Sequence, residues 1–104
     1  MKKVNLLLLA SFMALGSGAA LADGDAALTK SGCMACHAKD KKMVGPSFRD
    51  IAAKYKGQDV SAKLFDKVRK GGSGVFGPIP MSPNGPEKIG DADLKDAVAV
   101  ILKS

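Results

Sequence analysis

Between Gly71 and Gly90 the chain reads GGSGVFGPIPMSPNGPEKIG, a stretch that holds four of the five prolines in a sequence of 104 residues. Each proline fixes φ and removes a backbone donor, so this segment can be neither helix nor the interior of a sheet. Loops longer than about 12 to 15 residues are uncommon in compact domains unless they carry function or stay disordered. Here the prolines favour order, because a backbone with φ preset at Pro78, Pro80, Pro83 and Pro86 has less entropy to lose.

Short helices are expected on either side of it. Asp25 to Gly32 is the first candidate. The second starts at Ser47, with Pro46 just ahead, a Ser-x-x-Asp capping pattern to Asp50, and Phe48, Ile51, Ala52 and Tyr55 at helical spacing. A third, capped by Asp59, carries the stripe Val60, Leu64, Phe65 and Val68 and stops at Gly71-Gly72. Asp91 is expected to cap the last, which presents Leu94, Ala97, Val98, Ile101 and Leu102 on one side. No run alternates at period two for long enough to predict a sheet, so the fold class is all-α.

The first residues read differently. Lys2 and Lys3 precede an apolar run from Val4 to Leu15, and Ala20-Leu21-Ala22 supplies small residues before the first acid, Asp23. This is the pattern of a secretory signal peptide over residues 1–22, leaving a domain at 23–104. A retained anchor would need roughly 20 apolar residues, and this run is shorter and broken by Asn5 and Ser11. Removal of the leader predicts an exported protein with no stable membrane insertion. Without Lys2 and Lys3 the chain keeps 14 of its 16 Lys and Arg against all 10 acids, a net charge of +4. Scattered cations and a single tyrosine exclude nucleic acid as an expected partner, whereas acidic protein surfaces fit the balance.

A domain this small sits near the limit at which an apolar core alone suffices, and a covalent or metal staple is expected. Both cysteines and the only histidine lie within SGCMACHAKD. On one turn Cys33, Cys36 and His37 share a face. Two thiols so spaced can add to the two vinyl groups of one haem while the imidazole reaches the iron, which is the CxxCH pattern of c-type haem attachment. A thioredoxin-type CxxC would want a βαβ context, and a structural zinc site normally has four ligands where this chain offers three. The haem also supplies the staple: burying several hundred Å² of macrocycle contributes on the order of 10 kcal/mol at about 25 cal/mol per Å².

A closed iron needs a second axial ligand, and with His37 used methionine is the candidate. Met34 is turned away by the attachment geometry, and Met43 follows His37 too closely, so core filling is its expected role. Met81, inside the stiff proline loop, is the expected sixth ligand.

CMACHAKDKKMVGPSF followed by GGSGVFGPIPMSPNG resembles the small bacterial class I cytochromes c of the c-551/c-552 (c8) group, over essentially all of 23–104. The resemblance implies four to five short helices around one covalently bound haem, His37/Met81 ligation, and single-electron shuttling between redox proteins of the periplasm. It further implies that the Pro46 carbonyl accepts the second N–H of the His37 imidazole, and that Asn84 donates to the methionine sulfur region. Relatives commonly place tryptophan, with its N–H on a haem propionate, where this chain has Phe76, which has no donor. Lys67 and Arg69 are the candidate replacements.

The function expected is therefore that of an electron carrier and not an enzyme, with Lys39, Lys41 and Lys42 available to steer acidic partners. The competing class is a gas sensor or peroxidase-like enzyme with an open sixth site, which would lack a distal histidine. A dithiol oxidoreductase would instead keep both thiols free.

Overall fold

The computed structural model describes residues 19–104; the leader expected over 1–22 lies outside the described residues as far as position 18. Four helices follow in order: α1 (Ala19–Lys30), α2 (Phe48–Lys54), α3 (Ser61–Lys70) and α4 (Asp91–Leu102), with a short 3-10 turn at Cys33–Ala35 between the first two. Among the described residues there is no strand, only an isolated antiparallel bridge between Gly72 and Met81.

The core lies where α1, α2 and α3 meet α4. Phe48, Leu94 and Val98 are almost wholly buried, and Ala27 and Leu28 of α1, Ile51 of α2, Tyr55 at its C-terminal cap and Ile101 of α4 close around them. α1 packs most extensively on α4. That closeness depends on Gly24, where an added Cβ would lie 2.5 Å from the backbone oxygen of Asp96 and from Val100 Cγ2. α1 ends two residues before the expected boundary, as Gly32 enters the left-handed region (φ 81°) and turns the chain into the cysteine pair.

α2 begins as its sequence predicts. Ser47 Oγ accepts from the Asp50 N–H at 3.0 Å, and Ser47 is itself 2% exposed. The expected caps of the other two helices are not the observed ones. Val60, not Asp59, stands at the α3 N-cap, with no side-chain bond; it is drawn there by burial. Gly90 caps α4, and Asp91 is instead the first helical residue, its carboxylate 2.6 Å from Arg69. An acid in the first turn is still favoured by the helix dipole.

The proline loop is irregular as expected but not without bonds of its own. Gly72 N–H donates to Met81 O at 3.0 Å and Met81 N–H to Gly72 O at 2.8 Å, while Gly74 N–H reaches Gly77 O at 2.8 Å. Gly71 makes the tight entry possible: it holds φ 70°, and a side chain there would run into the Met81 carbonyl.

Candidate functional site

Cys33, Cys36 and His37 are gathered by one carbonyl. Cys33 O accepts from the Cys36 N–H at 3.2 Å and from the His37 N–H at 3.0 Å, tightening the turn that Gly32 opens. Cys33 is half-buried against the core and Cys36 is exposed, and no disulfide joins them. Burial pushes the Cys33 thiol above its ordinary range, with the charge of Lys88 and a backbone hydrogen bond working the other way. A redox-active CxxC relies on a depressed thiol, so this shift disfavours the dithiol oxidoreductase.

The imidazole of His37 is held on three sides. Its Nδ1 lies 2.7 Å from Pro46 O. A carbonyl can only accept, so Nδ1 carries the proton and Nε2 keeps a lone pair for a metal. Phe48 stacks on the ring at 5.4 Å with 24° between planes. Gly45 borders it so closely that a Cβ would come 2.6 Å from Cε1 and 3.1 Å from Nε2. The segment from His37 to Pro46 is itself pinned, through Gly45 N–H to Cys36 O (2.8 Å), Phe48 N–H to Ala38 O (3.0 Å) and Arg49 N–H to Lys39 O (3.0 Å). An imidazole oriented with Nε2 free, beside two thiols on one turn, is a donor set that fits a c-type haem.

Met81 and Asn84 form a second group, built on the end of α3. Met81 is half-buried and bridged to Gly72; Asn84 N–H donates to Val68 O at 3.0 Å, and Asn84 Nδ2 lies 3.3 Å from Val68 O and 3.0 Å from Ser82 O. The side-chain amide of Asn84 is thus engaged with carbonyls on either side of its own segment. No hydrogen bond joins this group to the cysteine turn among the described residues.

Of the two cations expected to replace the missing indole, Arg69 is already committed. Its Nη1 donates to Asn84 O at 3.1 Å and Ile89 O at 2.7 Å, and its Nη2 pairs with Asp91. Lys67 remains, with Nζ beside Gly72. Lys54, which sequence reasoning missed, places Nζ 5.7 Å from the Phe76 ring centroid. Met43 is not the core filler expected: it is 42% exposed. With Val44, Val75, Phe76 and Ile79 it completes a set of large exposed apolar residues confined to the two loops that carry His37's support and Met81. Exposure of this kind on otherwise polar loops marks surface meant for another group.

A family model described as cytochrome c oxidase, cbb3-type, subunit III matches residues 19–101. Cytochrome c2 of Rubrivivax gelatinosus is 49% identical over 77 residues, which is 73% of this chain and 91% of that protein. Cytochrome c-551 of Pseudomonas aeruginosa is 48% identical over 80 residues, 76% of this chain and 77% of its own. The crystal structure of Nitrosomonas europaea cytochrome c552 aligns with a TM-score of 0.69 at 42% identity, covering 76% of this chain and 96% of the other. Helices of this order around a CxxCH turn define a small class I cytochrome c. Within that class the chain belongs to the c-551/c-552 group, small electron carriers whose cofactor is covalently bound haem c.

Proposed function

We propose that the chain is a periplasmic one-electron carrier in which Cys33 and Cys36 hold haem c through thioethers and His37 and Met81 are its axial ligands. The single observation that carries the reading is the His37 imidazole, fixed by Pro46 and Gly45 with its outer nitrogen free. When bound, the haem supplies a one-electron iron couple. The polypeptide's part is to keep the surroundings of that couple unchanged between oxidation states. The Pro46 carbonyl orients the imidazole and raises its basicity. The Gly72 bridge stiffens the backbone at Met81, so that the sulfur need not move as charge changes. No substrate is transformed, and the partners are redox proteins.

The leader over residues 1–22 supports export before haem attachment. A peroxidase would need a distal acid or base, and the one histidine of the sequence is committed to Pro46. Methionine removal tests the ligation. The parent ferrous protein is expected to exclude carbon monoxide and Met81→Ala to bind it; rapid binding by the parent would favour the open site. Mass spectrometry of the exported protein is expected to show one added haem and loss of residues 1–22.

A further inference from the structure

Arg69 stands at the end of α3 with its side chain 14% exposed, yet its guanidinium does not serve the helix it belongs to. Nη1 donates to Asn84 O at 3.1 Å and to Ile89 O at 2.7 Å, which brackets the turn over residues 84–89, and Nη2 meets Asp91 Oδ1 at 2.6 Å. The ring of Phe65 supports it, 5.1 Å from centroid to Cζ.

We propose that Arg69 is the positioning residue for Met81: by holding the downstream half of the proline loop on α3, it keeps the methionine sulfur on the iron. The inference rests on Met81 being the sixth ligand. Between Met81 and α4 the backbone has two prolines, Pro83 and Pro86, and no ladder of its own. Its carbonyls must find donors elsewhere, since an unpaired polar group shielded from water is costly. One planar guanidinium satisfies two of them at once, a geometry that lysine's tetrahedral ammonium does not reproduce. Asn84, three residues beyond Met81, is gripped from both sides: its N–H by Val68 O and its C=O by Arg69. Met81 itself is tied upstream through Gly72. With the Arg69 contacts removed, the loop keeps its upstream tie and the core anchor of buried Ile89, but between them only Val68 O holds it to α3, and sulfur can leave the iron without the helices unfolding.

The test compares holoproteins of the parent, Arg69→Met, Arg69→Lys and Asp91→Asn. Arg69→Met keeps an apolar side chain of similar length and removes every donor together with the guanidinium over the Phe65 ring. Its ferrous form is expected to bind carbon monoxide about tenfold or more faster than the parent, the size expected when hydrogen bonds to a charged group are lost. Asp91→Asn breaks only a pair whose acid is 73% exposed, and is expected to change that rate about threefold or less. Amide exchange supplies a readout that a general stabilising role would not move selectively. In Arg69→Lys the Met81 and Asn84 amides should exchange faster while α1 and α4 keep parental protection, and this variant serves where Arg69→Met fails to fold. Carbon monoxide exclusion by Arg69→Met equal to the parent's would overturn the proposal, as would Asp91→Asn opening the iron equally or a uniform rise in exchange. Rapid binding by the parent would instead overturn the Met81 ligation, and the positioning role with it.

Discussion

Gly45 lies against the face of the His37 ring so closely that the Cβ of any other residue would stand 2.6 Å from its Cε1. The backbone then turns immediately to bring the Pro46 carbonyl to Nδ1. One dipeptide therefore sets both where the ring is and which nitrogen it offers. Gly45→Ala is expected to tilt the ring off Pro46. Overpacking of this kind costs about 1–3 kcal/mol, read from chemical denaturation of the holoprotein. Losing the hydrogen bond also makes the imidazole a poorer electron donor, which favours the reduced iron, so the midpoint potential should rise. A redox titration that finds it unchanged or lowered would mean that the Pro46 contact does not tune the ligand.

Ser47 continues the same segment and starts the helix on which Phe48 supports the ring. Its hydroxyl satisfies the Asp50 N–H, and at 2% exposure no water can take its place. Ser47→Ala is expected to destabilise by about 1–2 kcal/mol, the upper part of the range for lost N-caps. The urea midpoint should fall with the slope unchanged.

Gly24 presents a contest of sign. In a helix interior alanine is favoured over glycine by about 1 kcal/mol, of which little applies at the second residue left by removal of the leader. Against this, the new methyl would meet the backbone oxygen of Asp96, which cannot rotate away. Overpacking costs about 1–3 kcal/mol, so the net effect of Gly24→Ala should be neutral at best and destabilising in general. A higher unfolding midpoint would show that α1 and α4 can separate at no cost.

How far the chain could be read beforehand depended on the range of the interactions involved. The attachment turn and the α2 cap are local, fixed by residues within four positions of one another, and CMACH and Ser47-x-x-Asp50 announced them. The proline loop declared its irregularity through covalent geometry alone. Asp59 and Asp91 do not cap because a cap is decided by the backbone angles of one residue; the observed caps are buried Val60 and Gly90, with Asp91 one position inside α4 and paired to Arg69. The work of Arg69 was illegible for the same reason: its acceptors lie 15, 20 and 22 residues away. Met43 departs from the core place expected of it because hydrophobicity says nothing of which side of a loop faces out.

The lysines after the attachment turn are not equivalent, and this separates them in a binding experiment. Lys39 Nζ lies 3.4 Å from Asp25, which partly cancels its charge, whereas Lys41 and Lys42 are exposed and have no ion-pair partner among the described residues. Steering of an acidic redox partner should therefore depend mainly on the latter two. Reversing both, Lys41→Glu with Lys42→Glu, is expected to lower the second-order electron-transfer rate about tenfold at low ionic strength, with Lys39→Gln changing it by much less. Raising salt toward about 1 M shortens the screening length to about 3 Å, so the parent and the double variant should converge. Stopped-flow kinetics across ionic strength measures this. A parental rate that ignores salt, or a Lys39→Gln effect as large as the double reversal, would exclude steering by this pair.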